Sequence, residues 1–149
     1  MINRDILIVE DNPADVRLIW EALKGVNPPI NIHIAQNGEE ALQFLRREGQ
    51  HSEAPTPALV FLDFNLPGAN SRDVLREIKK DNGLRSIAVA VFTTSDLEQD
   101  VREAYALHAN CYLCKPSDLE RFLATIQTTA YFWLNVARLP SGVGGECVD

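Results

Sequence analysis

Five short apolar runs, each closed by a polar break and followed by an amphipathic stretch, leave this chain few ways to fold. The runs are Ile6–Val9, residues 30 to 35, Ala58–Leu62, residues 87 to 94 and the shorter segment ending at Lys115-Pro116. Apolar runs of this length bounded by turn residues read as buried strands. Between them lie stretches with apolar residues at helical spacing: Val16, Ile19, Trp20 and Leu23; Ala41, Leu42 and Leu45; Val74, Leu75 and Ile78. Strands alternating with such helices predict a parallel sheet covered by helices on both faces. Right-handed crossovers prune the topologies. The expectation is α/β, a five-stranded parallel sheet of order 2-1-3-4-5 with the flavodoxin-like winding, whose ligands bind outside the carboxyl ends of the strands.

The local signals agree with this layout. Asn12 followed by Pro13 predicts a helix start, an N-cap and a first helical residue of fixed φ. "INIHIA" alternates in period two, so the second strand is expected nearer a sheet edge. The helix "LEQDVREAYAL" is more polar than the others and is expected to lie on the surface. The last helix is expected to run from "SDLERF" through "YFWLNVARL", capped by Ser117 with Glu120 completing a capping box. Residues 1–139 are expected to form one domain and the Gly-rich residues 140–149 a disordered tail.

The 149 residues suffice for one core without disulfides. A net charge of -7 argues against nucleic acid as a partner. No apolar run approaches the ~20 residues of a membrane span, and no signal peptide is visible. Three cysteines in no framework spacing suit a reducing cytoplasm.

In a parallel sheet the residues that end the strands are neighbours. Strand one ends in Glu10-Asp11, strand three in Asp63, strand four in Thr93-Thr94-Ser95 and strand five in Lys115-Pro116. Three carboxylates gathered at one rim repel one another and raise each other's pKa values. A hard divalent cation such as Mg²⁺ relieves this, since it takes oxygen ligands and leaves room for a phosphate oxygen. Metal, ammonium and hydroxyl converging on one carboxylate suit phosphoryl transfer, with Asp63 as the nucleophile.

Each residue also has a plainer reading. Asp63 or the Glu10-Asp11 pair would serve as helix or loop caps, and Thr94 as an ordinary strand residue. Lys115 could be a solvated charge, and Tyr112 simple packing. Cys111 and Cys114 form a C-x-x-C, but inside a strand they point to opposite faces and no second pair exists for zinc; buried small side chains explain them better. His33, His51 and His108 show no ligand or triad spacing. Tyr131, Phe132, Trp133 and Leu134 are more aromatic than one helix packing on its own core requires, which favours a partner surface over core packing alone.

The motifs "LIVEDN", "FLDFNLPG", "VAVFTTS" and "CYLCKP" together resemble the receiver domain of two-component response regulators, over roughly Asp5 to Leu139. The resemblance implies Asp63 as the phosphorylated aspartate. It implies Asp11 and Asp63 as direct metal ligands, the Asn65 backbone carbonyl as another, and Glu10 acting through water. Thr93 and Lys115 would contact the phosphoryl group. Lys115-Pro116 would be a cis peptide, and Thr93 with Tyr112 the switch. The long loop "REGQHSEAPTP", the strand "NCYLCKP" and the extension "YFWLNVARLP" are similar to stand-alone regulators that partner bacterial phytochrome histidine kinases. That subgroup implies a sensor histidine kinase as donor, output through a changed protein–protein surface, and a homodimer through the C-terminal region. Ser71 departs from the family's usual Gly, and Ala88 from a common Pro.

Three other readings compete. A degenerate receiver that only docks would not need the acid pair, Thr93 and Lys115. A haloacid-dehalogenase-type phosphatase wants an acid where Asn65 stands. A nucleotide or flavin module wants G-x-G-x-x-G after strand one, where "EDNPAD" puts negative charge.

Overall fold

The computed structural model describes residues 3–66 and 71–140. Five strands, β1 (Asp5–Val9), β2 (Asn31–Ala35), β3 (Leu59–Leu62), β4 (Ala88–Thr93) and β5 (Cys111–Cys114), form one sheet. The strand order is β2-β1-β3-β4-β5 and every pairing is parallel, as the alternation of strand and helix requires. β1, β3 and β4 are interior strands, and from Ile6 to Val9, Leu59 to Leu62 and Ala88 to Thr93 they are fully buried. β2 is an edge strand, as expected, and only Ala35 of it is buried; Ile34, on the apolar side of the period-two alternation, is exposed.

Helices α1 (Pro13–Lys24), α2 (Gly38–Arg46), α3 (Ser71–Lys80), α4 (Glu98–Ala106) and α5 (Leu119–Tyr131) cover both faces. One face packs Leu7, Val9, Val60, Leu62, Val89 and Val91 against Ala41, Phe44, Leu45, Val74, Leu75, Ile78 and Ala104. The other packs Ile6, Ile8, Leu59, Phe61, Ala90 and Phe92 against Ile19, Ala22, Leu23, Phe122, Ile126 and Ala130. Alternate residues of each strand therefore serve opposite layers, as the pleat demands. α4 contributes a single buried side chain, Ala104, so it lies on the surface as its composition indicates.

Helix starts carry the expected chemistry with one shift. Asn12 caps α1, accepting from the N–H groups of Ala14 and Asp15, and Asn37 caps α2, accepting from Glu40 N–H. The cap of α5 is Asp118, which accepts from Arg121 N–H, and not Ser117. Both residue types cap well, and the carboxylate adds a favourable interaction with the helix dipole.

The chain beyond α5 also departs from the expectation of one long helix. α5 stops at Tyr131, and Phe132–Val136 form a π-helical turn. Arg4 holds this turn in place: one guanidinium nitrogen donates to Asn135 Oδ1 at 2.8 Å, while another reaches the Pro28 carbonyl. Residues 67–70 and 141–149, with the Pro67-Gly68 break and nearly all of the expected tail, lie outside the described residues. Among the described residues no helix is long and apolar enough to cross a membrane.

Candidate functional site

The carboxyl ends of β1, β3, β4 and β5 meet as the topology dictates. Glu10 leaves β1 and its N–H donates to the Ala35 carbonyl; Asp63 leaves β3 and its N–H donates to the Val9 carbonyl. These backbone bonds seat both acids at the rim, Glu10 2% and Asp63 6% exposed. Asp11 projects into solvent beside them. One carboxylate oxygen from each of Glu10, Asp11 and Asp63 lies within 4.8 Å of the others.

Lys115 is the positive charge of the site. Its N–H donates to the Thr93 carbonyl at 2.7 Å, which fixes the turn out of β5. Its ammonium donates to Glu10 Oε1 at 2.5 Å, Asp15 Oδ2 at 2.8 Å and Asp63 Oδ2 at 3.2 Å, with the side chain only 5% exposed. Burial by itself would lower the Lys115 pKa. The bonds to Asp15 and Glu10 and the charges of Asp63 and Glu10 outweigh it and hold the pKa above the usual lysine range. Glu10 shows the converse. Burial pushes its carboxyl up to about 7, against the pull of Lys115 and with the added repulsion of Asp63. Its second oxygen, Oε2, accepts from Asn12 N–H.

The hydroxyl side of the site is built from Thr93 and Asn65. Thr93 ends β4 wholly buried, and its Oγ1 accepts from Asn65 Nδ2 at 3.0 Å. Thr94, the neighbour open to confusion with it, is exposed. Asn65 N–H donates to Asp63 Oδ1 at 3.0 Å, so residue 65 links the central carboxylate to the hydroxyl. Ser71, at the first position of α3, donates its hydroxyl to the Asp63 carbonyl at 2.6 Å. That carbonyl lies past the end of the β3 ladder, and the serine gives it a hydrogen-bond donor from the start of α3.

The other expected residues fall into place unevenly. Tyr112 is half-buried; its hydroxyl donates to the Ser95 carbonyl at 2.8 Å and its ring meets Phe64 edge-on at 6.1 Å. Ser95 in turn donates to Asp100, which pairs with Arg72, so Tyr112 is tied to the β4–α4 connection and to α3. The expected cis peptide at Lys115-Pro116 is not found: the cis bond among the described residues is Asn27–Pro28. An X–Pro bond favours trans by about 0.5–1 kcal/mol, and Lys115 reaches all three carboxylates with it. Tyr131 and Phe132 are exposed and Trp133 is half-buried, but Leu134 is core, packed with Ile126 and Ala130. Residue 134 continues the four-residue spacing of the buried Phe122, Ile126 and Ala130, so it falls on the face of the last helix that packs on the core. Cys111 is half-buried and Cys114 is exposed, so only the first behaves as the interior side chain expected of both.

Asp15 is the site residue that sequence reasoning missed. Its one advance signal is an acid in the first turn of a helix that starts where a rim strand ends.

The donor set fits a hard cation. It is all carboxylate oxygen, with Asp11 open to solvent, and it contains no thiolate or imidazole that would favour zinc. Residues 6–127 match the response regulator receiver domain family. The chain is 42% identical over 136 residues to the response regulator Rcp1 of Synechocystis sp., covering 91% of this chain and 92% of that protein. It superposes on the crystal structure of the phosphorylated cyanobacterial phytochrome response regulator RcpA with a TM-score of 0.90 at 42% identity, over 93% of this chain and 99% of that one. The Mn²⁺-bound form of Rcp1 gives a TM-score of 0.87 at 41% identity, over 93% and 99% of the two chains. Fold, strand-end chemistry and similarity over nearly the full length agree: this chain belongs to the response regulator receiver family.

Proposed function

We propose that residues 1–139 form a receiver that takes a phosphoryl group from a sensor histidine kinase onto Asp63 and signals through a changed protein–protein surface. The observation that carries this reading is the arrangement around Asp63: a buried carboxylate flanked by an acid pair, an ammonium at 3.2 Å and, through Asn65, the hydroxyl of Thr93. An oxygen of Asp63 attacks phosphorus in line, the P–N bond of the donor phosphohistidine breaks, and the imidazole leaves as an acyl phosphate forms. Lys115 gives an N–H to a phosphoryl oxygen, and Thr93 turns its hydroxyl proton to another. Asp11, Asp63 and the Asn65 carbonyl would hold Mg²⁺, with Glu10 acting through water, and the ion would supply positive charge to offset the acids and the phosphoryl oxygens. Catalysis here is positioning and charge neutralisation, with no turnover beyond the domain's own phosphorylation.

The intact acid pair, Thr93 and Lys115 speak against a receiver that only docks. Asn65 stands where a phosphatase of that class wants a general acid, and its carboxamide, which donates to Thr93, cannot serve as one. Asp63→Asn is expected to abolish labelling by acetyl phosphate, read by phosphate-affinity electrophoresis. Persistent labelling at another residue would refute the assignment.

The donor we infer is a phytochrome-type kinase in the cytoplasm; the similarity to RcpA and Rcp1 supports it. We also infer a homodimer through the C-terminal region. The exposed Tyr131, Phe132 and Val136 support that surface with the Trp133 ring edge-on to Phe132 at 5.1 Å, whereas the buried Leu134 is excluded from it. Sedimentation with and without beryllofluoride checks this: a dimer is expected in at least one condition, and a monomer in both removes the proposal.

A further inference from the structure

Lys115 holds one more carboxylate than the cation site accounts for. Its three N–H groups go to Glu10, Asp15 and Asp63. Glu10 and Asp63 belong to the cluster of oxygens that converge within 4.8 Å, and Asp15 does not. Asp15 stands on the first turn of α1, which Asn12 locks directly behind the end of β1 by accepting from Ala14 and Asp15 N–H. That placement aims the residue 15 carboxylate at the ammonium from the helix side. The Lys115 side chain is 5% exposed and that of Asp15 21%, so the pair is shielded from the solvent screening that weakens surface pairs.

We propose that Asp15 is a positioning residue for phosphoryl transfer: it holds the Lys115 ammonium back from Asp63, so that a phosphoryl oxygen can take the third N–H. This rests on reading Asp63 as the acceptor and Lys115 as a phosphoryl contact. An ammonium among fixed acceptors settles where their pulls balance. Asp15 and Glu10 take two N–H groups at 2.8 and 2.5 Å, and the bond to Asp63 is the longest at 3.2 Å. Without Asp15 the ammonium closes on Glu10 and Asp63, the two groups that the cation and the incoming phosphorus require. Asp15 lies outside the cluster, so its bond to Lys115 persists when Asp63 becomes an acyl phosphate.

An acid in a first helical turn also stabilises the helix through its dipole, and that role does not depend on Lys115. A double-mutant cycle separates the two. With acetyl phosphate at saturating Mg²⁺, Asp15→Ala is expected to slow Asp63 labelling about three- to tenfold, while in a Lys115→Ala background it changes the rate less than about twofold. A second readout needs no metal and no reaction. In metal-free protein labelled with ¹⁵N-lysine, the Lys115 Nζ signal is expected to shift or vanish in Asp15→Ala and to stay in Arg17→Ala. This signal decides alone where Lys115→Ala labels too slowly to time. Equal slowing in both backgrounds, an unslowed Asp15→Ala, or an unmoved Nζ signal each overturns the proposal. A wild-type chain that does not label at Asp63 ends the phosphoacceptor reading itself, and so is distinguishable from a failure of Asp15 alone.

Discussion

Two lysines whose ammonium groups are drawn out of bulk solvent stand at opposite ends of the same sheet, and burial acts on both in the same direction. Lys115, at the carboxyl ends, meets three carboxylates and its pKa rises. Lys79, at the end of α3, meets the Arg85 and Ile87 carbonyls and Asn110 Oδ1 near the amino ends of β4 and β5. These acceptors are neutral, nothing offsets the burial, and the Lys79 pKa falls to about 8. The difference lies in what the partners carry, not in how deep the lysine sits. One end of the sheet concentrates opposed charges that a cation and a phosphoryl group can rearrange. The other ties a helix to two strands with a charge that has no counter-ion among those three acceptors.

The comparison breaks most visibly at Lys115. Lys115→Ala removes the ammonium from a site where Glu10 is 2% exposed and Asp63 6%. Removing one partner of a buried pair leaves uncompensated charge and costs about 3–5 kcal/mol. The sign with pH follows from Glu10. Its folded pKa is raised to about 7, so protonation favours the folded state: that stability is fully present below the carboxyl's ordinary value and is lost as pH rises through 7. The cost of Lys115→Ala is therefore expected to be larger at pH 8 than at pH 5.5, and Mg²⁺ at pH 8 is expected to recover part of it. Urea denaturation with EDTA and with Mg²⁺ at the two pH values measures this. A loss equal in all four conditions would mean that the ammonium does not balance the acids.

Which parts of this contrast the sequence exposes follows from how local each signal is. The strands are legible because runs such as Ala58–Leu62 are apolar throughout, and their order follows because parallel strands need crossovers. Glu10, Asp11, Asp63, Thr93 and Lys115 are legible because each lies within two residues of a strand end, so topology alone makes them neighbours. Asp15 is not, because its meeting with a residue 100 positions away depends on the rotation of α1 about its axis. Leu134 is core because it continues the four-residue spacing of the buried Phe122, Ile126 and Ala130, a periodicity that grouping it with its aromatic neighbours overlooks. Ser117 and Asp118 are adjacent residues that both cap well, so choosing between them takes one residue of register. The hydroxyl of Ser71 on the Asp63 carbonyl was invisible for a similar reason: a departure from a family pattern shows that a position differs, not what the new side chain touches.

The smaller test falls on Lys79, where the contrast predicts the opposite response to pH. Lys79→Met leaves the Ile87 carbonyl and Asn110 Oδ1 short of a donor, a loss of about 1–3 kcal/mol. Asn110 Oδ1 also accepts from Val89 N–H, so part of its capacity stays satisfied and the lower half of that range is expected. In the wild type the folded-state pKa of Lys79 is depressed to about 8, below its ordinary value near 10.5. Between those values the unfolded chain binds a proton that the folded chain does not, so this lysine's contribution to stability grows as pH rises from about 8 to 10.5 and is lost as pH falls through 8. Lys79→Met should remove that upward slope, whereas Lys115→Ala should leave it in place. Denaturation of the three proteins across pH 7.5 to 10 reads the slopes directly. If the slope survives in Lys79→Met, the neutral acceptors do not leave this ammonium exposed to the cost of burial, and the two ends of the sheet differ less than their partners imply.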